Sequence, residues 1–151
     1  MPSEGDVVSV AGWREWVALP DLGVGRLRCK LDTGARTSAL HATFVESLER
    51  DGAAWVRFGL RLETDARPTL RRFEAPVVDR RVVTDSGGHR ERRVVIATRV
   101  TLGARTWPIE VTLANRETMR FRMLLGRAAL RGRVLVDPGA SYLQGEPEPT
   151  R

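Results

Sequence analysis

Residues 30 to 42 read Lys30-Leu31-Asp32-Thr33-Gly34-Ala35-Arg36-Thr37-Ser38-Ala39-Leu40-His41-Ala42, and the Asp32-Thr33-Gly34-Ala35 core of that run decides the reading of the chain. An apolar strand, Leu27-Arg28-Cys29-Lys30-Leu31, leads into a carboxylate with a hydroxyl and a glycine directly after it. This order presents one acid at the end of a strand on a tight turn. Thr33 can tie the turn by hydrogen bonding, and Gly34 lets backbone N–H groups approach the carboxylate because no Cβ is in the way. Asp and Gly are also ordinary turn residues. The apolar lead-in and the small residues after the turn favour a functional role for it.

Hydrolysis by carboxylates needs two of them close enough to share a proton, one acting as base toward water and the other as acid toward the carbonyl. Asp85-Ser86-Gly87 is the obvious candidate for the second. The next five residues, Gly88-His89-Arg90-Glu91-Arg92, are polar where a second copy of the motif needs small apolar ones. A second lobe would also need its own core, and a chain of 151 residues holds one domain. The better reading is a hairpin tip between a Val82-Val83 strand and a Val94-Ile96 strand, with Gly87 and Gly88 supplying the turn. Asp137-Pro138-Gly139 reads as a turn after a Val134–Val136 strand.

Further along, Phe121-Arg122-Met123-Leu124-Leu125-Gly126-Arg127-Ala128-Ala129-Leu130 reads as a strand, a Gly-Arg turn and a short helix. Together with Asp32-Thr33-Gly34-Ala35 it resembles the two halves of one retropepsin lobe. The longer strings resemble a bacterial family labelled ATP-dependent zinc proteases. They include Gly12-Trp13-Arg14-Glu15-Trp16, the Asp32–Ala42 run, Gly88-His89-Arg90-Glu91-Arg92, Met123–Arg127, Val136-Asp137-Pro138 and Ser141-Tyr142-Leu143. The resemblance implies an all-β, retropepsin-like acid-protease barrel with one short C-terminal helix. It implies an aspartic-type endopeptidase in which Asp32, Thr33 and Gly34 are catalytic and the 85–88 hairpin is a flap. Ala35, Arg36, Gly87, Gly88 and Arg127 are then the substrate-binding candidates. The second aspartate should be Asp32 of another copy, so a homodimer is expected. The resemblance also implies an association with ATP-grasp glutamate ligases of the ribosomal-modification type, and so a peptide or protein substrate carrying glutamate. The arginines at 36, 120, 122 and 127 suit such a substrate, since a guanidinium fork matches a carboxylate bidentately. A peptide-binding module that has lost catalysis, or an RNA-associated accessory module, is the alternative on the same fold.

The rest of the sequence narrows the field. Neither histidine, His41 nor His89, lies in His-Glu-x-x-His, and a single cysteine cannot build a Cys/His zinc cluster. A site built from His41, His89 and a carboxylate is the one metal alternative; no metal or other cofactor is expected. No Gly-x-x-x-x-Gly-Lys-Ser/Thr loop is present, and Ser38, Ser86 and Ser141 lack a nucleophile-elbow context. The net charge is +6, and Lys30 is the only lysine among 25 basic residues. The arginines are dispersed and only 6% of residues are aromatic, which argues against nucleic acid as the partner. The N-terminal residues, Met1 to Asp6, lack the pattern of a signal peptide, no run approaches a membrane span, and Cys29 has no disulfide partner. The expected location is the cytoplasm, and Cys29 is expected to be a buried thiol.

Period-two alternation dominates. It predicts antiparallel strands with arginine on the wet face around Val56–Leu62, Arg93–Leu102, Trp107–Leu113 and Met119–Met123. Turns are expected at Asp51-Gly52, Gly103-Ala104-Arg105 and Asn115–Thr118. Short helices are expected over Phe44–Leu48 and Arg127–Leu130, and Ala66–Pro76, with two prolines, reads as a loop. The peptidase domain is placed at 1–143, with a flexible tail over 144–151.

Overall fold

The computed structural model describes residues 8–64, 67–85, 87–115 and 120–147. The turn expected at 115–118, Met119, Ser86 and residues 148–151 fall wholly or partly outside them. Alternating apolar residues produce the strands β1 (Ser9–Leu19), β2 (Val24–Leu31), β3 (Ser38–Ala42), β4 (Phe44–Arg50) and β5 (Ala53–Thr64). They continue with β6 (Arg67–Pro76), β7 (Asp79–Thr84), β8 (Arg90–Leu102), β9 (Arg105–Asn115), β10 (Met123–Leu125) and β11 (Val134–Ser141). The one α-helix among the described residues, α1 (Arg127–Leu130), lies between β10 and β11. The chain is therefore all-β with one short C-terminal helix, as expected. No helix among the described residues is long and apolar enough to cross a membrane.

Eight strands form one sheet in the order β11-β1-β2-β10-β3-β9-β8-β7, and β4-β5-β6 form a second of three. A further pairing of β1 with β8, at Ala18 and Thr101, curls the large sheet back on itself. The sheet is mixed, where only antiparallel pairing was expected: β1–β11, β2–β10 and β3–β9 run parallel. Alternation within a strand sets which face is buried and carries no information about the direction of its neighbour.

Inside the curl lies one core. Val17, Leu19, Cys29, Leu40, Val56, Phe58, Leu60, Ile96, Val111, Met123 and Leu125 are all wholly shielded from solvent. Phe58 stacks on Phe73 at 5.5 Å, which joins β5 to β6 and roofs that core. At the middle of β8, residues 93 to 96 are buried on both faces. Arg93 is consequently covered rather than wet, with its Nε donating to Glu91 at 3.2 Å.

Four local expectations are corrected. Phe44–Leu48 is strand, because the Asp51-Gly52 turn, with φ of 52° and 80°, folds β4 onto β5 residue by residue from Phe44–Gly59 to Arg50–Ala53. Arg67–Pro76 is strand rather than loop. It is the outer strand of the small sheet, where a missing N–H is tolerated, and Pro68 and Pro76 sit at its two ends. Asp137-Pro138-Gly139 does not end β11; the strand runs on to Ser141 across a register shift against β1, with Gly139 N–H donating to Asp137 Oδ1 at 2.9 Å. The strand expected from Met119 begins only at Met123, residues 120–122 being bends.

Beyond Leu143 the chain is tied back at its start. Leu143 and Gln144 donate backbone N–H groups to the fully buried carboxylate of Glu15 at 2.8 and 3.0 Å, and Gly12 donates a third. Three charge-assisted bonds make this burial tolerable. They lock the C-terminal segment to β1.

Candidate active site

The sequence Leu27–Leu31 enters the site as β2, with Leu27, Cys29 and Leu31 in the core and Arg26 and Lys30 exposed. Asp32 still belongs to the ladder through its N–H, which donates to Leu125 C=O at 2.8 Å. The chain then turns: Ala35 N–H donates to Asp32 C=O at 3.2 Å, and Gly34 N–H donates to Asp32 Oδ1 at 2.9 Å. A Cβ on Gly34 would stand 3.1 Å from that same Oδ1. The glycine is therefore needed for close approach of its N–H to the carboxylate, as the sequence implied. Asp32 itself is half-buried, while Thr33 and Gly34 are exposed.

After the turn the chain opens into β3, and β10 slides between the two arms. Met123, Leu124 and Leu125 pair parallel with Cys29, Lys30 and Leu31, while Met123 and Leu124 pair antiparallel with Leu40 and Ala39. At the end of β10 the backbone passes under the turn. Gly126 N–H donates to Ser38 Oγ at 3.1 Å, Arg127 N–H to Ala35 C=O at 2.7 Å, and Ala128 N–H to Arg36 C=O at 3.1 Å. A Cβ on Gly126 would stand 2.6 Å from Thr37 C=O and 2.9 Å from Ala35 C=O, so only glycine permits this crossing. Arg127 reaches back with Nη1 to Thr33 C=O at 3.1 Å. Thr33 was expected to tie the turn through its hydroxyl; the ties seen run through its carbonyl and through the Asp32 carboxylate.

The structure thus brings Asp32, Thr33, Gly34, Ala35, Arg36 and Arg127 to one place. Ser38 was given no role from sequence, yet it braces the crossing twice: its Oγ receives Gly126, and its carbonyl receives Thr112 Oγ1 at 3.1 Å. The one available signal was a serine inside the small-residue stretch after the turn. Beside this assembly opens a cavity of ≈ 370 Å³, bounded by Thr37, Ser38, Arg81, Trp107, Glu110 and Ala128 among others. Arg81 on its rim is held by Asp79 at 2.7 Å and Glu110 at 2.8 Å. The Glu110 and Asp79 bonds, in that order, raise its pKa further.

Gly87 and Gly88 lie elsewhere in the chain path, at the tip joining β7 to β8. Asp85 Oδ1 accepts N–H bonds from Gly87 and His89, both at 2.9 Å, and Gly88 adopts φ +85°. His89 Nδ1 stands 3.6 Å from Asp85 Oδ2. Asp85 shapes a hairpin tip, and Asp85-Ser86-Gly87 is not the start of a second lobe. His41 is buried in β3 and His89 is exposed at the tip; no group of three or more potential metal ligands occurs among the described residues. Burial drives the Cys29 thiol far above its ordinary pKa, keeping it protonated and unreactive.

A strand ending in Asp-Thr-Gly, reopened by a Leu-Leu-Gly-Arg strand inserted between its arms, defines one lobe of the retropepsin-like acid-protease class. The chain belongs to the RimB-like family, described as retropepsin-like aspartic endopeptidase RimB, whose family model matches residues 10–147. It is similar to proteins named probable alpha-L-glutamate ligase from Shewanella pealeana and Desulfotalea psychrophila, at 44% and 40% identity over 137 residues. In each case that is 91% of this chain and 30% of the relative, so the chain spans under a third of those proteins. Among solved structures it is similar to the Legionella pneumophila protein Lpg0085, of unknown function. The TM-score is 0.74 at 29% identity, covering 90% of this chain and 98% of that one.

Proposed function

We propose that this chain is an aspartic endopeptidase that works as a homodimer, each copy contributing Asp32 to one shared site. The observation that carries the reading is the Asp32 turn: a carboxylate held at a strand end by the Gly34 N–H, with one face left to solvent. One such carboxylate per chain cannot do the chemistry. In a symmetric pair, one ionised Asp32 takes a proton from water as the water attacks the peptide carbonyl carbon. The other, protonated, gives its proton to the carbonyl oxygen. Proton transfer to the nitrogen then lets the C–N bond break. Gly34 holds each carboxylate through its N–H, Ala35 and Arg36 form the floor beside them, and Arg127 fixes the turn through the Thr33 carbonyl. The Gly87-Gly88 tip closes over the bound peptide as a flap.

The substrate is a polypeptide with acidic residues, a glutamate-rich tail above all. Support comes from exposed Arg36 and Lys30 next to the turn and from relatives named glutamate ligases, in which a segment like this one forms part of a longer chain. An ATP-grasp glutamate ligase is accordingly the proposed partner, and the cytoplasm the proposed location. The test is a competition between an oligoglutamate-tailed peptide and an apolar peptide of equal length, with Asp32→Asn protein as control. Faster cleavage of the acidic peptide by the wild type alone supports the reading. The same relatives favour a second one, a non-catalytic module that delivers acidic chains to a ligase. Binding without hydrolysis, unchanged by Asp32→Asn, would select it.

A further inference from the structure

The outward face of β2 carries a line of cations that leads away from Asp32. Arg26 and Lys30 are exposed and Arg28 is half-buried, while the alternate residues enter the core. The same two-residue period extends to Asp32, so the cations and the carboxylate share one face. Trp16 of β1 pairs across from Arg28, and Arg61 of β5 with Arg120 and Arg122 forms the facing wall. The result is a shallow groove in which Arg26, Arg28, Arg61, Arg120 and Arg122 converge. Five guanidinium groups around one groove concentrate a positive field that draws in an anion.

Two further features specify the anion. Arg26 lies over the Trp16 ring at 3.8 Å, and Trp16 stacks on Tyr142 at 5.6 Å. Such stacking restrains the guanidinium and leaves its N–H edges to bind. It also occupies the aromatic ring that a nucleic-acid base would need, so phosphate-and-base recognition is disfavoured. The chain's own Glu146 already sits at the rim, 3.4 Å from Arg26. A glutamate carboxylate is thus a group that a groove arginine already meets in this structure. The Arg26–Glu146 pair is exposed on both sides and is readily exchanged.

We propose that this arginine groove is an exosite for the acidic stretch of a polypeptide substrate, and that it makes cleavage depend on the length of that stretch. The proposal rests on the peptidase reading and adds a second contact point to it. Arg26 precedes Asp32 by six residues, which at strand rise is about 20 Å. An extended acidic tail therefore reaches the groove only when it continues about six residues past the cleaved bond. Short tails engage the cleft alone; long ones engage both sites and gain from their linkage.

The experiment compares two fluorogenic peptides that differ only in an oligoglutamate extension of about three or about twelve residues, a length chosen to fall short of or span the groove. The extension is placed on either side of the same scissile bond. Wild-type protein is set against Arg26→Gln/Arg28→Gln/Arg61→Gln protein and against Arg26→Gln alone, with melting curves to certify folding. At low salt the wild type should favour the longer peptide by about tenfold in kcat/KM, as three exposed charge pairs allow. The triple variant should lose that preference while cutting the short peptide at the wild-type rate, and Arg26→Gln should lose part of it. Where the peptides are cleaved, equal length preference in wild type and variants, or none in either, overturns the exosite. Binding is read separately by fluorescence anisotropy of labelled oligoglutamate on Asp32→Asn protein. Tighter binding of a single-stranded RNA of equal charge would overturn the proposal in favour of a nucleic-acid groove. Binding that the arginine variants abolish, without cleavage of any peptide, would keep the groove and sink the peptidase reading instead.

Discussion

At the scale of single residues, the site is set by what each position has room for. Asp32→Asn keeps the acceptor for Gly34 N–H but cannot cycle a proton. Hydrolysis should fall to background with the thermal midpoint little changed, checked by a peptide-cleavage assay beside a melting curve. Gly126→Ala should behave in the opposite manner. Its methyl would meet two backbone carbonyls that cannot rotate away, at 2.6 and 2.9 Å. Overpacking of this kind costs about 1–3 kcal/mol, and a urea titration should show the loss. Cleavage should drop as well, because Ala35 and Thr37 belong to the turn that is pushed. A third outcome concerns Cys29, which is fully buried with its thiol held protonated. Iodoacetamide should leave it unmodified in native protein and alkylate it in denaturant, as mass spectrometry would read.

At the scale of elements, much was legible and the failures share a cause. The Asp32 turn, the 127–130 helix and the 82–96 hairpin could be read because each has local chemistry at fixed offsets: an acid before glycine, a Gly-Arg before small residues, a Gly-Gly tip. Phe44–Leu48 was misread because its short apolar spacing fits a helix as well as a strand, and only pairing with β5 decides it. Arg67–Pro76 was misread because proline counts against a strand unless the strand is known to lie at an edge. Ser38 and Glu15 were missed as braces because their partners are 88 and 128 residues away. Of the arginine groove, sequence singled out only Arg120 and Arg122, since the other cations come from the distant strands β2 and β5. At the hairpin tip, Asp85→Asn retains an oxygen for the Gly87 and His89 N–H groups, whereas Asp85→Ala removes it. Cleavage by the Asn variant should stay within a few-fold of wild type, and the Ala variant should show a raised KM from a loosened flap. Equal collapse of activity in Asp85→Asn and Asp32→Asn would instead make Asp85 a catalytic partner.

For the whole molecule the question is how one lobe becomes a complete site. Asp85, the other Asp-x-Gly carboxylate near the middle of the chain, is engaged at the hairpin tip and not at the Asp32 turn. Apolar surface lies open as well: Val10 and Leu135, paired across β1 and β11, are 50% and 64% exposed. Both features suit a twofold partner that covers this β1–β11 surface and brings a second Asp32 to the first. If the site is shared, activity must track the population of pairs and not of chains. Specific activity should fall on dilution in step with the dimer fraction from sedimentation, and a strict monomer that still cuts peptides would end the idea. A mixing experiment is sharper because it holds total protein constant. Wild-type and Asp32→Asn chains, unfolded together in equal amounts and refolded, should assort at random into pairs. Only pairs with two carboxylates can divide the base and acid roles, so activity should be about one quarter of that of the same total amount of wild-type protein. Half the activity, which independent monomers would retain, would show that each chain carries a whole site.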